Sequence, residues 1–291
     1  MRSALLTVLV ALLTGCTQMF FHPSQVLTQT PEAFGAAYEP VEMHASDGTA
    51  LFGWYLPAGR QPRATVLFLH GNAQNISSHI RAVAWMPHAG FNVLALDYRG
   101  YGRSAGSPSL PGLQLDIDAA MASLLARADV DPRRIAIFGQ SLGGALAIYY
   151  AVHGRYRDSI CAVVSESAFS DYRTISRDKL ASAFITWPFQ WLPWLTVDDT
   201  YAPDASVQAI SPIPLLLIHG DEDRTVPLYH SKRLYALALE PKALWVVHGR
   251  GHIESMQDAS VRERLAAYLA KACARGSFPP RRPPVPVPAR R

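Results

Sequence analysis

No run of apolar residues in this 291-residue chain reaches the ~18 that a helix needs to cross a bilayer, so a polytopic membrane protein is excluded. No group of His, Cys and carboxylate residues has metal-ligand spacing. No Gly-rich loop ends in Gly-Lys-Ser or Gly-Lys-Thr, so the expected chemistry needs no cofactor and no metal. An excess of charge of one sign is also missing outside one tail. Of the 27 Lys and Arg residues, Arg275, Arg281, Arg282, Arg290 and Arg291 lie in the last 17 positions, leaving 22 basic against 23 acidic residues elsewhere. A nearly neutral body offers no field for nucleic acid. What is present is apolar: 49% of the chain is hydrophobic and 10% aromatic, which excludes disorder, collagen and coiled coil. Roughly 200 to 250 residues of α/β structure commonly form one domain.

The N-terminus reads as a processing signal. Arg2 precedes the apolar stretch Ala4 to Leu13, interrupted only by Thr7. That length is too short to span a membrane and right for export. Leu13-Thr14-Gly15-Cys16 resembles the lipobox of bacterial lipoproteins, in which cleavage before the Cys leaves it carrying lipid. The alternative is an ordinary cleaved signal with an incidental Cys. On the lipobox reading, residues 1–15 are signal peptide and two or more acyl chains on Cys16 hold the protein firmly to a membrane of the bacterial envelope, facing the periplasm. Thr17 in place of the Asp associated with inner-membrane retention points to the outer membrane. Residues 16–37 read as a tether and 277–291, rich in Pro and Arg, as a solvated tail. An oxidising compartment permits Cys161 and Cys273 to pair. Both lie on core-forming stretches, so the expectation is two inert buried thiols.

From residue 38 to 276 strand and helix alternate. Val41 to Ser46 and Ala50 to Leu56 flank Asp47-Gly48, a hairpin signal. Further β-rich runs lie at Ala64 to Leu69, Phe91 to Leu96, Arg134 to Phe138, Ile160 to Val164, Ile213 to Ile218 and Ala243 to Val247. Several are apolar on both faces, as strands sandwiched between helices must be. The predicted fold class is therefore α/β: a doubly wound, mostly parallel sheet with an N-terminal antiparallel hairpin.

Gly-x-Ser-x-Gly occurs at Gly102 to Gly106 and at Gly139 to Gly143. The first sits in a loop of Gly, Ser and Pro with no helix directly after it, so Ser104 is set aside. The second joins a strand to Leu142 to Val152, a run apolar on every side and so a buried helix. Strand, tight turn and helix is the context a nucleophile elbow requires, which makes Ser141 the candidate nucleophile and the N–H of Leu142 a candidate oxyanion donor. A serine needs a base and the base an orienting acid, in the chain order Ser, Asp or Glu, His. His219-Gly220-Asp221-Glu222-Asp223 and His248-Gly249-Arg250-Gly251-His252 follow later strands and supply them.

At this point the chain resembles the α/β-hydrolases, and among them the small-cap, serine-aminopeptidase-like branch. The resemblance covers roughly residues 38 to 273. His70-Gly71-Asn72-Ala73 is similar to that family's oxyanion loop, Asp97-Tyr98-Arg99-Gly100-Tyr101-Gly102-Arg103-Ser104 to its Asp-x-Arg-Gly-x-Gly-x-Ser loop, and Gly139 to Gly143 to its elbow. The resemblance implies Asp223 as the acid, with Asp221 as rival, His252 as the base, and the N–H of Asn72 as second oxyanion donor. His248 is expected to be structural, His70 and His219 to hold turns, and His79, His88 and His230 to lie on helix surfaces.

Residues 166–212 are long enough for a cap insertion, with a helix around Asp171 to Phe184. Trp187, Phe189, Trp191 and Trp194 either line a pocket for an apolar group, dip into a membrane, or pack the cap onto the body. The expected function is a serine hydrolase of esters, thioesters or amides, acting on a small or lipid-like acyl substrate. Carboxylic esters are favoured over peptides, because no cluster of acids stands ready for a free amine. A serine peptidase is the alternative within the class, and a catalytically silent envelope binding protein on the same scaffold is the rival outside it.

Overall fold

A computed structural model describes residues 20–59 and 61–274. The expected signal peptide, Cys16 and the Pro/Arg tail at 277–291 lie outside the described residues. Eight strands form one sheet: β1 (Glu39–His44), β2 (Ala50–Leu56), β3 (Ala64–Leu69), β4 (Phe91–Asp97), β5 (Ile135–Gln140), β6 (Ile160–Glu166), β7 (Leu215–Gly220) and β8 (Lys242–Val247). Their order is β8-β7-β6-β5-β3-β4-β2-β1, and only β2 runs against the others. The β1–β2 hairpin turns at Asp47-Gly48, where Gly48 adopts φ 86°.

Alternation along each strand divides the core. Leu67, Leu94, Ile137, Val163 and Leu217 face one layer, while Val66, Val93, Phe138, Val164 and Ile218 face the other. Helices α1 (Leu110–Leu125), α2 (Leu142–His153) and α4 (Tyr229–Leu237) cover the first face. Helix α5 (Ala259–Ala272) and the short turns between residues 76 and 89 cover the second. With both faces buried, the strands must be apolar throughout, which is why they read as unbroken runs. Among the described residues no helix is long and apolar enough to cross a membrane.

Three expectations are corrected here. Residues 20–37 are not all tether. Phe21 enters the core, His22–Pro23 pairs in parallel with Ala73–Gln74, and the Asn75 side chain donates to the carbonyls of Ser24 and Val26. No apolar periodicity marks this strap, because it is held by backbone pairing to a loop fifty residues away. Cys161 and Cys273 are not free thiols: they form a disulfide across 112 residues. Helix α5 returns along the sheet face that carries Cys161 and ends over it, a proximity that spacing in sequence cannot announce. Finally, His79 and His230 are not surface residues. His230 is fully buried against Ser170 and Asp178, and His79 is half-buried beneath the site described below.

Candidate active site

Ser141 follows the last residue of β5 and opens α2. Its backbone sits at φ 53°, ψ −115°, a left-handed conformation that a residue with a Cβ adopts only when its surroundings force it. The forcing is local. A Cβ on Gly139 would come within 2.1 Å of the Gly143 carbonyl, and one on Gly143 within 2.0 Å of the Leu69 carbonyl. Only glycine allows helix and neighbouring strand to close so tightly on the turn. The Ser141 N–H donates to Glu166 O at 2.8 Å, pinning the bend to β6.

Asp223 lies just beyond β7 and its carboxylate is saturated with donors. Oδ1 accepts from the N–H groups of Thr225 and Val226, both at 2.8 Å. Oδ2 lies 2.8 Å from His252 Nδ1 and 3.3 Å from His219 Nε2. Burial pushes this carboxyl up, but the hydrogen bonds from His219 and His252 outweigh it and hold it well below the usual carboxylate range. His219 is itself fixed, with Nδ1 on Ser231 Oγ and Nε2 on the Val226 carbonyl. The rival acid, Asp221, is exposed and pairs instead with exposed His248 at 2.7 Å.

His252 is brought toward Ser141 through β6. Its neighbour Ile253 donates to Ser167 Oγ at 3.3 Å, and Glu166, next to Ser167, accepts from the Ser141 N–H. Two cavities flank this turn. Ser141, Leu142 and Asn72 line one of about 410 Å³; Gln140, the residue before Ser141, lines a smaller one with His252 and His79.

The residues of the candidate oxyanion loop are set by His70, expected to hold this turn, and by two tyrosines and a strap residue that sequence reading left without a role. His70 Nδ1 lies 2.7 Å from the Gly71 carbonyl, which can only accept, so Nδ1 carries the proton. Burial keeps the His70 ring neutral. Carbonyl and N–H of a trans peptide point in opposite directions, so anchoring Gly71 O on His70 turns the Asn72 N–H away from that ring. Tyr98 donates to His70 O at 3.1 Å and Tyr101 to Asn72 O at 2.8 Å, while the His22 N–H reaches the same Asn72 carbonyl at 2.9 Å. Leu142, as the first residue of α2, has an N–H with no carbonyl four residues back to bond.

Beneath Ser141, Gln140 Nε2 donates to buried Glu166 Oε2 at 2.8 Å and its Oε1 lies 3.4 Å from His79 Nδ1. Burial raises the Glu166 carboxyl; the bonds from Gln140 and Ser255 oppose it. Tyr98 and Gln140 stand at unspecified positions inside motifs and Glu166 outside them, so none carried a signal of its own. Ser104 is structural: its hydroxyl donates to Asp97 O at 2.7 Å and accepts from the Phe52 N–H at 2.8 Å. Among the described residues no group of three or more His, Cys, Asp or Glu is placed to hold a metal ion.

The larger cavity is walled by Phe20, Phe169, Ile175, Leu192, Pro193 and Val197. The cap helix α3 (Tyr172–Ala181) starts at Asp171, whose carboxylate accepts the Thr174 N–H at 2.7 Å. The four cap aromatics expected to line a pocket, pack the cap or meet a membrane do none of the pocket lining: Trp187, Phe189, Trp191 and Trp194 are exposed.

Residues 60–211 match the family described as serine aminopeptidase, S33. YfhR of Escherichia coli K12, an uncharacterized protein, is 37% identical over 261 residues, covering 87% of each chain. The chain belongs to this family of α/β-hydrolases. WAV2 of Arabidopsis thaliana, an alpha/beta hydrolase domain-containing protein, is 33% identical over 72% of this chain and 69% of its own. Among solved structures, the esterase Pf2001 of Pyrococcus furiosus shares the fold with a TM-score of 0.66 at 23% identity, covering 87% of this chain and 97% of that one. The protein is therefore a hydrolase of the α/β-hydrolase superfamily, with the mostly parallel sheet and N-terminal hairpin its sequence predicts.

Proposed function

We propose that this hydrolase cleaves carboxylic esters through an acyl-enzyme on Ser141. The observation that carries the reading is Ser141 itself, held at positive φ on a glycine-packed bend at the wall of an apolar cavity. His252 removes the hydroxyl proton as Ser141 Oγ attacks the acyl carbon. Asp223 holds the imidazole by Nδ1, leaving Nε2 for the proton, and stabilises the imidazolium that forms. The N–H groups of Asn72 and Leu142 receive the negative charge on the carbonyl oxygen. His252 then returns the proton to the departing alcohol, water takes the alcohol's place, and the same steps in reverse release the acid.

The character of the cavity supports an ester over a peptide with a free terminus. Holding an amine calls for a carboxylate, and no Asp or Glu lines the 410 Å³ cavity. Each acyl methylene buried there contributes about 0.8 kcal/mol, close to a fourfold gain in kcat/KM per carbon until the space is filled. The test is turnover of p-nitrophenyl esters of graded chain length. Wild type should show that climb and Ser141→Ala should fall by at least about a thousandfold. Undiminished turnover by Ser141→Ala would overturn the proposal.

We further propose that Cys16 carries the lipid anchor of an envelope protein. The Cys161–Cys273 disulfide supports the exported compartment this requires, since reducing compartments rarely keep such bonds. Labelled palmitate should enter the wild-type chain and fail to enter Cys16→Ser; equal labelling of both would sink the anchor.

A further inference from the structure

Between Lys179 and Asp198 the chain runs for 18 residues without an Asp, Glu, Lys, Arg or His. The polar side chains of this stretch turn back on their own backbone. Ser182 Oγ donates to Lys179 O at 2.7 Å, Thr186 Oγ1 to Leu180 O at 2.7 Å, Gln190 Nε2 to Trp187 O at 2.9 Å and Thr196 Oγ1 to Leu192 O at 3.1 Å. Backbone N–H groups do likewise, among them Trp187 to Ala183 O, Leu192 to Phe189 O and Val197 to Pro193 O. A segment whose donors are met internally loses little when water is taken from it.

What it presents outward is apolar. Phe184, Ile185, Trp187, Trp191, Trp194 and Leu195 are between 47% and 95% exposed. So many exposed large apolar side chains within twelve residues mark a surface that is covered in use, and tryptophan, with an apolar ring and one N–H, suits the boundary between lipid and water.

The place of the face in the molecule selects what covers it. Leu180, Leu192, Pro193 and Thr196 of the same stretch wall the Ser141 cavity, so its inner side is pocket and its outer side is this surface. Phe20 walls that cavity too, and its ring meets Tyr172 at the base of the cap with centroids 5.3 Å apart. Cys16 stands four residues before Phe20, a distance the chain spans with at most about 14 Å. Lipid on Cys16 therefore brings a membrane to the wall that the cap stretch shares.

We propose that the outward aromatic face of residues 180–197 docks into the surface of a phospholipid bilayer, so that the Ser141 cavity opens beside the membrane and draws its acyl substrate from it. The direction of approach rests on the Cys16 anchor proposed above; the face itself does not. With no charge in the stretch, the docking needs no anionic lipid, and Lys179 at its edge can keep its ammonium in the headgroup layer.

The full chain, purified from membranes and reconstituted in phosphatidylcholine vesicles with brominated acyl chains, provides the test. Three of its six tryptophans lie on the face. Emission should fall by at least about a third relative to unbrominated vesicles, and the triple variant W187S/W191S/W194S should lose that quenching. The triple variant should also hydrolyse a long-chain p-nitrophenyl ester embedded in vesicles at least fivefold more slowly, with turnover of water-soluble p-nitrophenyl acetate unchanged. Absence of quenching in a chain whose mass shows lipid on Cys16 overturns the docking and leaves the anchor standing. So does a wild-type dimer that the triple variant converts to monomer, since the face then belongs to a second copy. Quenching and vesicle binding by a chain whose mass shows no lipid uphold the docking and overturn the anchor. Quenching without turnover of any ester upholds the docking and overturns the hydrolytic reading alone.

Discussion

Asp221 and Asp223 stand two residues apart on one loop, and each meets a histidine from the next: His248 at 2.7 Å and His252 at 2.8 Å. By distance the two pairs are equals. Their surroundings differ. Asp221 and His248 are exposed, and a hydrogen bond from His248 and one from the Gly249 N–H lower the Asp221 carboxyl in full contact with water. Asp223 is buried, with two backbone amides on one oxygen and two imidazoles on the other. A charged contact in water is weak and screened by salt, whereas an enclosed carboxylate holds a ring in one orientation. Enclosure, more than proximity, separates the candidate acid from its neighbour.

Four tests on three substitutions sharpen or break that contrast. Asp223→Asn keeps the shape but removes the charge and can turn the imidazole, so kcat on a p-nitrophenyl ester should drop about 10³- to 10⁴-fold. A loss below tenfold would make the pairs equivalent after all. His219→Ala removes one donor to Asp223 Oδ2 without touching Ser141; kcat should fall about tenfold with KM nearly unchanged, since only the brace is loosened. Stability against pH is the third test. The folded-state pKa of Asp223 is depressed, so its contribution is present above the ordinary carboxylate value near 4 and is lost as pH falls below it. Urea unfolding at pH 7 and pH 3 should show a smaller difference in Asp223→Asn than in wild type, by about 1 to 2 kcal/mol; an unchanged difference would contradict the enclosure. The smallest effect belongs to Asp221→Asn, which should alter kcat less than about twofold at any ionic strength.

Much of this was legible in the sequence for a physical reason: strands buried on both faces must be apolar throughout, and a serine at positive φ needs small neighbours. Hence Val66 to Leu69 and Gly139 to Gly143 announce themselves, and the loops after β7 and β8 follow from chain order. The remainder depends on approach through space. Cys161 and Cys273 meet only because α5 doubles back over the sheet. Phe20 reaches the cavity only because a strap pairs with Ala73–Gln74. The aromatic cap residues announce a functional surface by composition, yet that they face outward while Leu192, Pro193 and Thr196 of the same stretch wall the pocket depends on the tight local turns from Ala183 to Val197. His79 and His230 look like surface residues because their helices are short and polar, and partners far along the chain bury them.

The proposed pairing of a strained hydroxyl with a braced imidazole is tested most directly by a fluorophosphonate, which phosphonylates only a serine so activated. Peptide mass mapping of the labelled protein should find the adduct on Ser141 and nowhere else, with Ser141→Ala and Asp223→Asn labelled slowly or not at all. An adduct on Ser104, or one that survives in Ser141→Ala, would contradict the account.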